Sequence, residues 1–177
     1  MHASSRGLFW VVLLFCTAAV ADTTQLETLK TSRRFGVGAS AGGPLAVMGV
    51  EADVNFDENL SIGLGLGTGI AYTTFMAKAR YFLLGEWVSP YMGLAVARWW
   101  TDGTQSTSVG PGLLTDKFLP PGYDLRQGFS LFLLAPSVGV QFMHPMGFAV
   151  SVELQYLVKL LDFANGAYGG LSAHWYF

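Results

Sequence analysis

Charge is what this 177-residue chain has least of. Asp, Glu, Lys and Arg together supply 12% of it, about half the share of an ordinary soluble domain. That is too little to cover a water-facing exterior, and 51% of the residues are hydrophobic. Basic runs and stripes are absent and the formal net charge is −2, which speaks against a nucleic-acid partner. The single cysteine, Cys16, excludes an internal disulfide. Long apolar runs are missing too. Beyond the first 21 residues the longest apolar stretch is Phe129–Met143, interrupted by Pro136, Gly139 and Gln141. A spanning helix takes about 20 apolar residues, so helical crossing is excluded there. No metal-ligand spacing occurs, and no cofactor motif beyond a G-x-G-x-G run that no helix pattern follows.

What is present begins with Met1–Ala21, which reads as a secretory signal peptide. Arg6 and the amino terminus give positive charge, Leu8–Phe15 is continuously apolar, and Ala19-Val20-Ala21 is a small-x-small cleavage site before Asp22. A lipoprotein reading of Cys16 is disfavoured by Phe15 before it, and cleavage after Ala21 would remove the thiol. Residues 22–33 are polar and read as a periplasmic lead-in, leaving 34–177 for the main domain.

From Arg34 onward the chain alternates with period two, the mark of half-buried strands. The clearest case is Leu60–Ala71: Leu60, Ile62, Leu64, Leu66, Thr68 and Ile70 face one way, and Ser61, Gly63, Gly65, Gly67, Gly69 and Ala71 the other. Glycine weakens a strand unless close approach demands it, so a glycine face predicts a crowded space. Further strands are expected at Arg34–Gly42, Leu45–Asn55, Thr73–Leu83, Tyr91–Trp99, Phe129–Met143, from Phe148 to Tyr156, and over the last nine residues, Gly169–Phe177. The faces of Tyr91–Trp99 are the least distinct; Met92, Leu94 and Val96 are its expected outward set, with the reverse left open. Trp99-Trp100 reads as an interfacial aromatic belt. The turns at Asn55–Asn59, Leu84–Ser89 and Met143–Gly147 are short and fall at one end, whereas the long Thr101–Gln127 break falls at the other. Eight strands near the 9–11 residues of a tilted span, with long loops at one end, fit a transmembrane barrel. A soluble eight-stranded barrel would need its charges outside.

The terminal stretch adds a resemblance. Leu171, Ala173, Trp175 and Phe177 share one face and end on an aromatic residue. This resembles the C-terminal strand of bacterial outer-membrane β-barrels, where a final Phe preceded by alternating apolar residues is the assembly signal. The resemblance implies an all-β, antiparallel up-and-down barrel of the outer-membrane protein A/W-like kind. It implies residence in a Gram-negative outer membrane among lipid and lipopolysaccharide. It also implies delivery to the barrel-assembly machinery through Trp175 and Phe177.

Once the apolar face is turned to lipid, five charges point inward: Glu51, Asp53, Lys78, Arg80 and Glu153, with Arg34 and Arg98 as candidates near strand ends. An eight-stranded barrel is just wide enough to be filled by side chains, so charges there need partners. The expectation is an interior ion-pair plug; a gate lining a narrow pore is the alternative. Catalysis is not expected. Ser172 and His174 lie on the inward face with Glu153 near, but their order reverses the His-x-Ser that the resemblance to lipid A deacylases would require. His174 reads instead as a hydrogen-bonded lumen histidine, and His144 sits in a proline turn. In the long break, Leu113, Leu114, Phe118, Leu119 and Tyr123 are apolar among polar neighbours. They are candidates for a mouth that takes small lipophilic ligands, or for contact with the rim or lipopolysaccharide. The expected role is therefore structural or surface-interacting, with a narrow conduit second and a lipid A-modifying enzyme third.

Overall fold

The computed structural model describes residues 29–69, 71–83, 87–103, 117–120 and 123–177. The signal-peptide reading, Leu113 and Leu114 fall outside them. Eight strands follow in chain order: β1 Phe35–Gly42, β2 Met48–Asn55, β3 Leu60–Thr68, β4 Thr73–Phe82, β5 Val88–Thr101, β6 Phe129–Met143, β7 Phe148–Lys159 and β8 Asn165–Tyr176. Each pairs antiparallel with the next, and β1 pairs with β8 from Gly36↔Tyr176 to Gly42↔Gly170, closing the barrel. Closure leaves no sheet edge, so every strand finds backbone partners on both sides. The turns at 56–59 and 144–147 lie at the end that also holds the start of β1, the end of β8, the end of β4 and the start of β5 (the near end). The connections from β1 to β2, β3 to β4, β5 to β6 and β7 to β8 lie at the far end, and the one after β5 has the greatest length.

Alternation decides which side chain goes where. The outer wall is aliphatic: Val152 and Leu154 are 57% and 59% exposed, and Val50, Leu64, Leu66, Met92, Leu94, Val96 and Val138 are similarly open. The inside holds Asp53, Arg80, Gln141 and His174, all buried. A folded chain that exposes its aliphatic residues and buries its charges is inverted relative to water. In an apolar solvent the same arrangement is the stable one, because the backbone is fully paired and the wall meets hydrocarbon.

Several elements differ from the sequence expectation. Leu45–Val47 does not begin β2. Gly43–Leu45 forms a one-turn 3-10 helix, η1, that folds into the lumen, and Ala46, at φ 65°, swings the chain back to the wall. Leu45 is thereby buried, and Trp99 donates its indole N–H to the Pro44 carbonyl at 2.6 Å. Trp99 is 2% exposed, inside the barrel; it shares the parity of Tyr91, Ala95 and Ala97, so the aromatic-belt reading fails for Trp99, and of the two only Trp100 lies on the outer face. β5 reaches from Val88 to Thr101, and its outward set is Met92, Leu94 and Val96. β3 stops at Thr68, while β7 and β8 run three to four residues further into what had read as a loop, leaving only 160–164 between them.

Replacing Leu94 by Arg tests the inversion. At mid-wall it should cost about 2–4 kcal/mol in a bilayer, read by urea unfolding in lipid vesicles. A soluble barrel would lose nothing.

Candidate functional site

The lumen divides into two storeys. In the far half the filling is apolar: Leu45, Met76, Ala95, Ala97, Leu131, Leu133, Ala135 and Leu157 pack around Trp99. Above them Trp99 meets Tyr72 at 5.2 Å and Phe118 at 5.9 Å between ring centroids, and Phe118 meets Tyr168 at 6.2 Å. Phe118 and Leu119 are therefore part of the core and not a solvent-facing ligand mouth: the segment carrying them tucks over the barrel end. Lys159 pins it by donating to the Phe118 carbonyl at 2.9 Å and to Asp162 at 2.6 Å. Tyr123 packs against the same cluster and donates its hydroxyl to the Gly128 carbonyl at 2.6 Å.

The near half is polar, and its centre is β2. Glu51 and Asp53, two residues apart, both point inward. On one side β3 offers Gly63 opposite Asp53 and Gly65 opposite Glu51, and on the other β1 offers Gly36 and Gly38 at the same levels. Without side chains on these strands, the next strands but one can reach β2. From β4, Lys78 pairs with Glu51, and Arg80 donates to Asp53 at 2.5 Å. From β8, the His174 ring lies over Gly38, with Nε2 at 3.0 Å from both Glu51 and Asp53. Tyr176 covers Gly36 and donates its hydroxyl to Asp53 at 3.3 Å. A Cβ on Gly63 would collide with the Asp53 carboxylate and press on Lys78 Cε at 3.0 Å. The glycine face of β3 is the gap through which the ion pairs form.

Glu153 stands apart from these pairs. It accepts from the Tyr91 hydroxyl at 3.1 Å and from Gln155. Beside it a cavity lined by Lys78, Arg80, Gly93, Ser137, Glu153 and Gln155 has room for about one water. Arg98 and Arg34 do not join the network: both are exposed, Arg98 on the outer wall and Arg34 at the near end. His174 was recognisable as a lumen residue. Its meeting with Glu51 and Asp53 was not, because only barrel closure brings β8 within reach of β2.

What this arrangement can do chemically is limited by its own pairing. Glu51, Asp53 and His174 present ligand atoms within 4.8 Å of one another, a spacing a metal ion could use. Lys78 and Arg80 already neutralise the two carboxylates, so a divalent ion would add uncompensated positive charge to a closed interior. Nor is His174 poised as a base. Its Nε2 faces two carboxylates, and its Nδ1 makes no hydrogen bond among the described residues.

No family model matches the sequence, and no curated protein is similar to it in sequence. Among solved structures, the N-terminal β-barrel domain of Pseudomonas aeruginosa OprF is similar. Its TM-score is 0.60 at 13% identity, over 82% of this chain and 98% of that one. This chain has the fold of the eight-stranded outer-membrane barrels. Ail of Yersinia pestis, solved in a phospholipid bilayer nanodisc, aligns over 82% of this chain and 99% of its own at 12% identity, with a TM-score of 0.45.

Residues 29–33, before β1, pack into the near end of this barrel. A helical turn at 29–32 sets Leu29 against Met143, Ala149 and Tyr176. Arg33 donates to the Tyr176 carbonyl at 3.2 Å. Lys30 is 2% exposed, with its ammonium 3.2 Å from the Phe82 ring centroid. Nothing in the lead-in's composition marked Lys30 for burial. Burial, reinforced by the Arg80 guanidinium, pushes the Lys30 ammonium from 10.5 down to about 7; the Phe82 ring face offsets part of that cost.

Two predictions follow from this geometry. Asp53→Ala should cost about 3–5 kcal/mol by stranding Arg80, and adding Arg80→Met should recover part of it, giving a coupling of about 0.5–3 kcal/mol in a vesicle unfolding cycle. For Lys30, the docked form sheds a proton that the released segment keeps between about pH 7 and 10.5. Docking should therefore strengthen as pH rises through that window, by up to about tenfold per unit. Hydrogen-exchange protection of residues 29–33 should report it, and Lys30→Met should flatten the dependence.

Proposed function

We propose that this protein resides in a bacterial outer membrane as a barrel closed to solutes, with a structural or cell-surface contact role and no catalysis. The observation that carries the reading is the continuity of the filling. The helical turn with Lys30 covers the near end, the β2-centred ion pairs fill the level above it, and η1, Trp99 and Phe118 fill the rest. In this reading the near end is periplasmic, residues 1–21 are a cleaved signal and the long connection after β5 is extracellular. Trp175 and Phe177, exposed on the outer face at the near end, present the assembly signal to the barrel-assembly machinery. The aliphatic wall meets outer-membrane lipid and lipopolysaccharide.

A conduit for small lipophilic solutes would require Phe118 and Leu119 to leave the mouth and η1 to leave the lumen. An enzyme would need His174 to turn from two carboxylates toward a hydroxyl. Both readings ask for more rearrangement than a surface role does.

Planar-bilayer recording on the refolded chain, with a heat-shifted gel band as the folding check, tests the proposal. Folded protein is expected to pass no steady current. Steady current that changes when Lys78 and Arg80 are neutralised would replace the plug by a selective pore.

A further inference from the structure

The one guanidinium on the lipid-facing wall of β5 is Arg98. Outward residues on β5 run Val88, Pro90, Met92, Leu94, Val96, Arg98 and Trp100. Ten residues separate Val88 from Arg98, about 33 Å along a strand and about 25 Å along the normal at a tilt near 40°, the height of an apolar barrel belt. Arg98 thus stands where hydrocarbon gives way to headgroups at the far end. Its surroundings change there as well. Below are Leu94, Val96 and Leu134; beside it, by register, are Phe75 on β4 and Phe132 on β6; beyond it Trp100 is flanked by Thr73 and Ser130.

The side chain is held without being neutralised. Its Nε donates to Ser130 Oγ at 3.1 Å, and the guanidinium carbon lies 5.5 Å and 5.6 Å from the Trp100 and Phe132 ring centroids. Among the described residues, neither Nη group has a hydrogen-bond or ion-pair partner. A fixed planar cation with two free nitrogens matches the oxygens of a phosphate, which guanidinium binds in fork geometry. The aliphatic and aromatic wall immediately below supplies contact for acyl chains attached to that phosphate.

We propose that Arg98, steadied by Ser130, Trp100 and Phe132, is a binding site for the phosphate headgroup of an anionic lipid in the outer leaflet. This rests on the far end being extracellular and the wall being embedded in lipid. The occupant is an amphiphile, and free phosphate is a weaker ligand because it leaves the wall below uncovered.

The test uses Trp100 as reporter. The chain is refolded into vesicles in which either phosphatidylglycerol or phosphatidylcholine carries brominated acyl chains, and quenching gives their relative association at the site. Wild type should favour the anionic lipid by about fivefold, the preference that one interfacial basic residue confers. Arg98→Gln should bring the ratio to one, Arg98→Lys should keep part of it, and Trp100→Phe should abolish the selective component of the quenching. Inorganic phosphate at millimolar concentration should not displace the lipid; if it does, the acyl contacts are not part of the site. An inserted, heat-shifted wild-type barrel with no preference overturns the lipid site. Absence of insertion overturns the membrane reading beneath it. The wild-type ratio needs no variant, so a misfolding Arg98→Gln leaves the proposal open to refutation.

Discussion

Two carboxylates on one strand, Glu51 and Asp53, set the terms for the near half of the barrel. Neither can be buried as an anion without a partner, and β2's immediate neighbours carry glycine at those levels. Their partners therefore come from β4 and β8, across the gaps those glycines leave. Five strands are committed to one cluster in this way. Register along β1–β4 and β8 is fixed by charge as well as by backbone pairing: a one-residue slip would turn the acids to the aliphatic outer face.

The far half solves a different problem. Among the described residues no charge pair crosses it; it is filled by side chains supplied from strands, from the inward-folded η1 and from the Phe118 segment. Because the wall faces outward with its aliphatic residues, this apolar core is enclosed by a ring of backbone and then by a second apolar surface. Its stability comes from packing and exclusion of water within the lumen. The polar storey instead obtains specificity from hydrogen-bond geometry. The two storeys together fill the lumen between the two ends of the strands.

Much of the wall was legible from residue order, because period two acts locally and needs no knowledge of neighbours. The bounds of β6 and the faces of β3, β4, β6 and β7 follow from alternation alone. The same rule, carried two residues past Val96, places Arg98 outside and Trp99 inside. Expecting Arg98 in the lumen and Trp99 in an aromatic belt set residue type above parity. Glu51, Asp53, Lys78, Arg80 and Glu153 were legible as inward charges, whereas Lys159 was not, because β7 runs beyond Tyr156; the pairing of Lys78 with Glu51 and of Arg80 with Asp53 required the strand order. What sequence order does not carry is the path of the connections. The inward fold of Gly43–Leu45 depends on a positive φ at Ala46 and on space inside a closed barrel. The seating of Lys30 depends on where the β4 end places Phe82.

The glycines that flank β2 have a consequence for how sequences of this kind vary. A side chain at Gly63 would occupy the place of the Asp53 carboxylate and crowd Lys78, and one at Gly38 would displace the His174 ring. Such a change is tolerable only if the residue on either side shrinks with it, so positions 53, 63 and 78, and likewise 51, 38 and 174, are bound to change together. The covariation would link β2 to β4 and β2 to β8, strands that share no backbone hydrogen bonds. Read as simple adjacency it would give the wrong strand order; read as triplets centred on a glycine, it would recover the cross-section of the lumen.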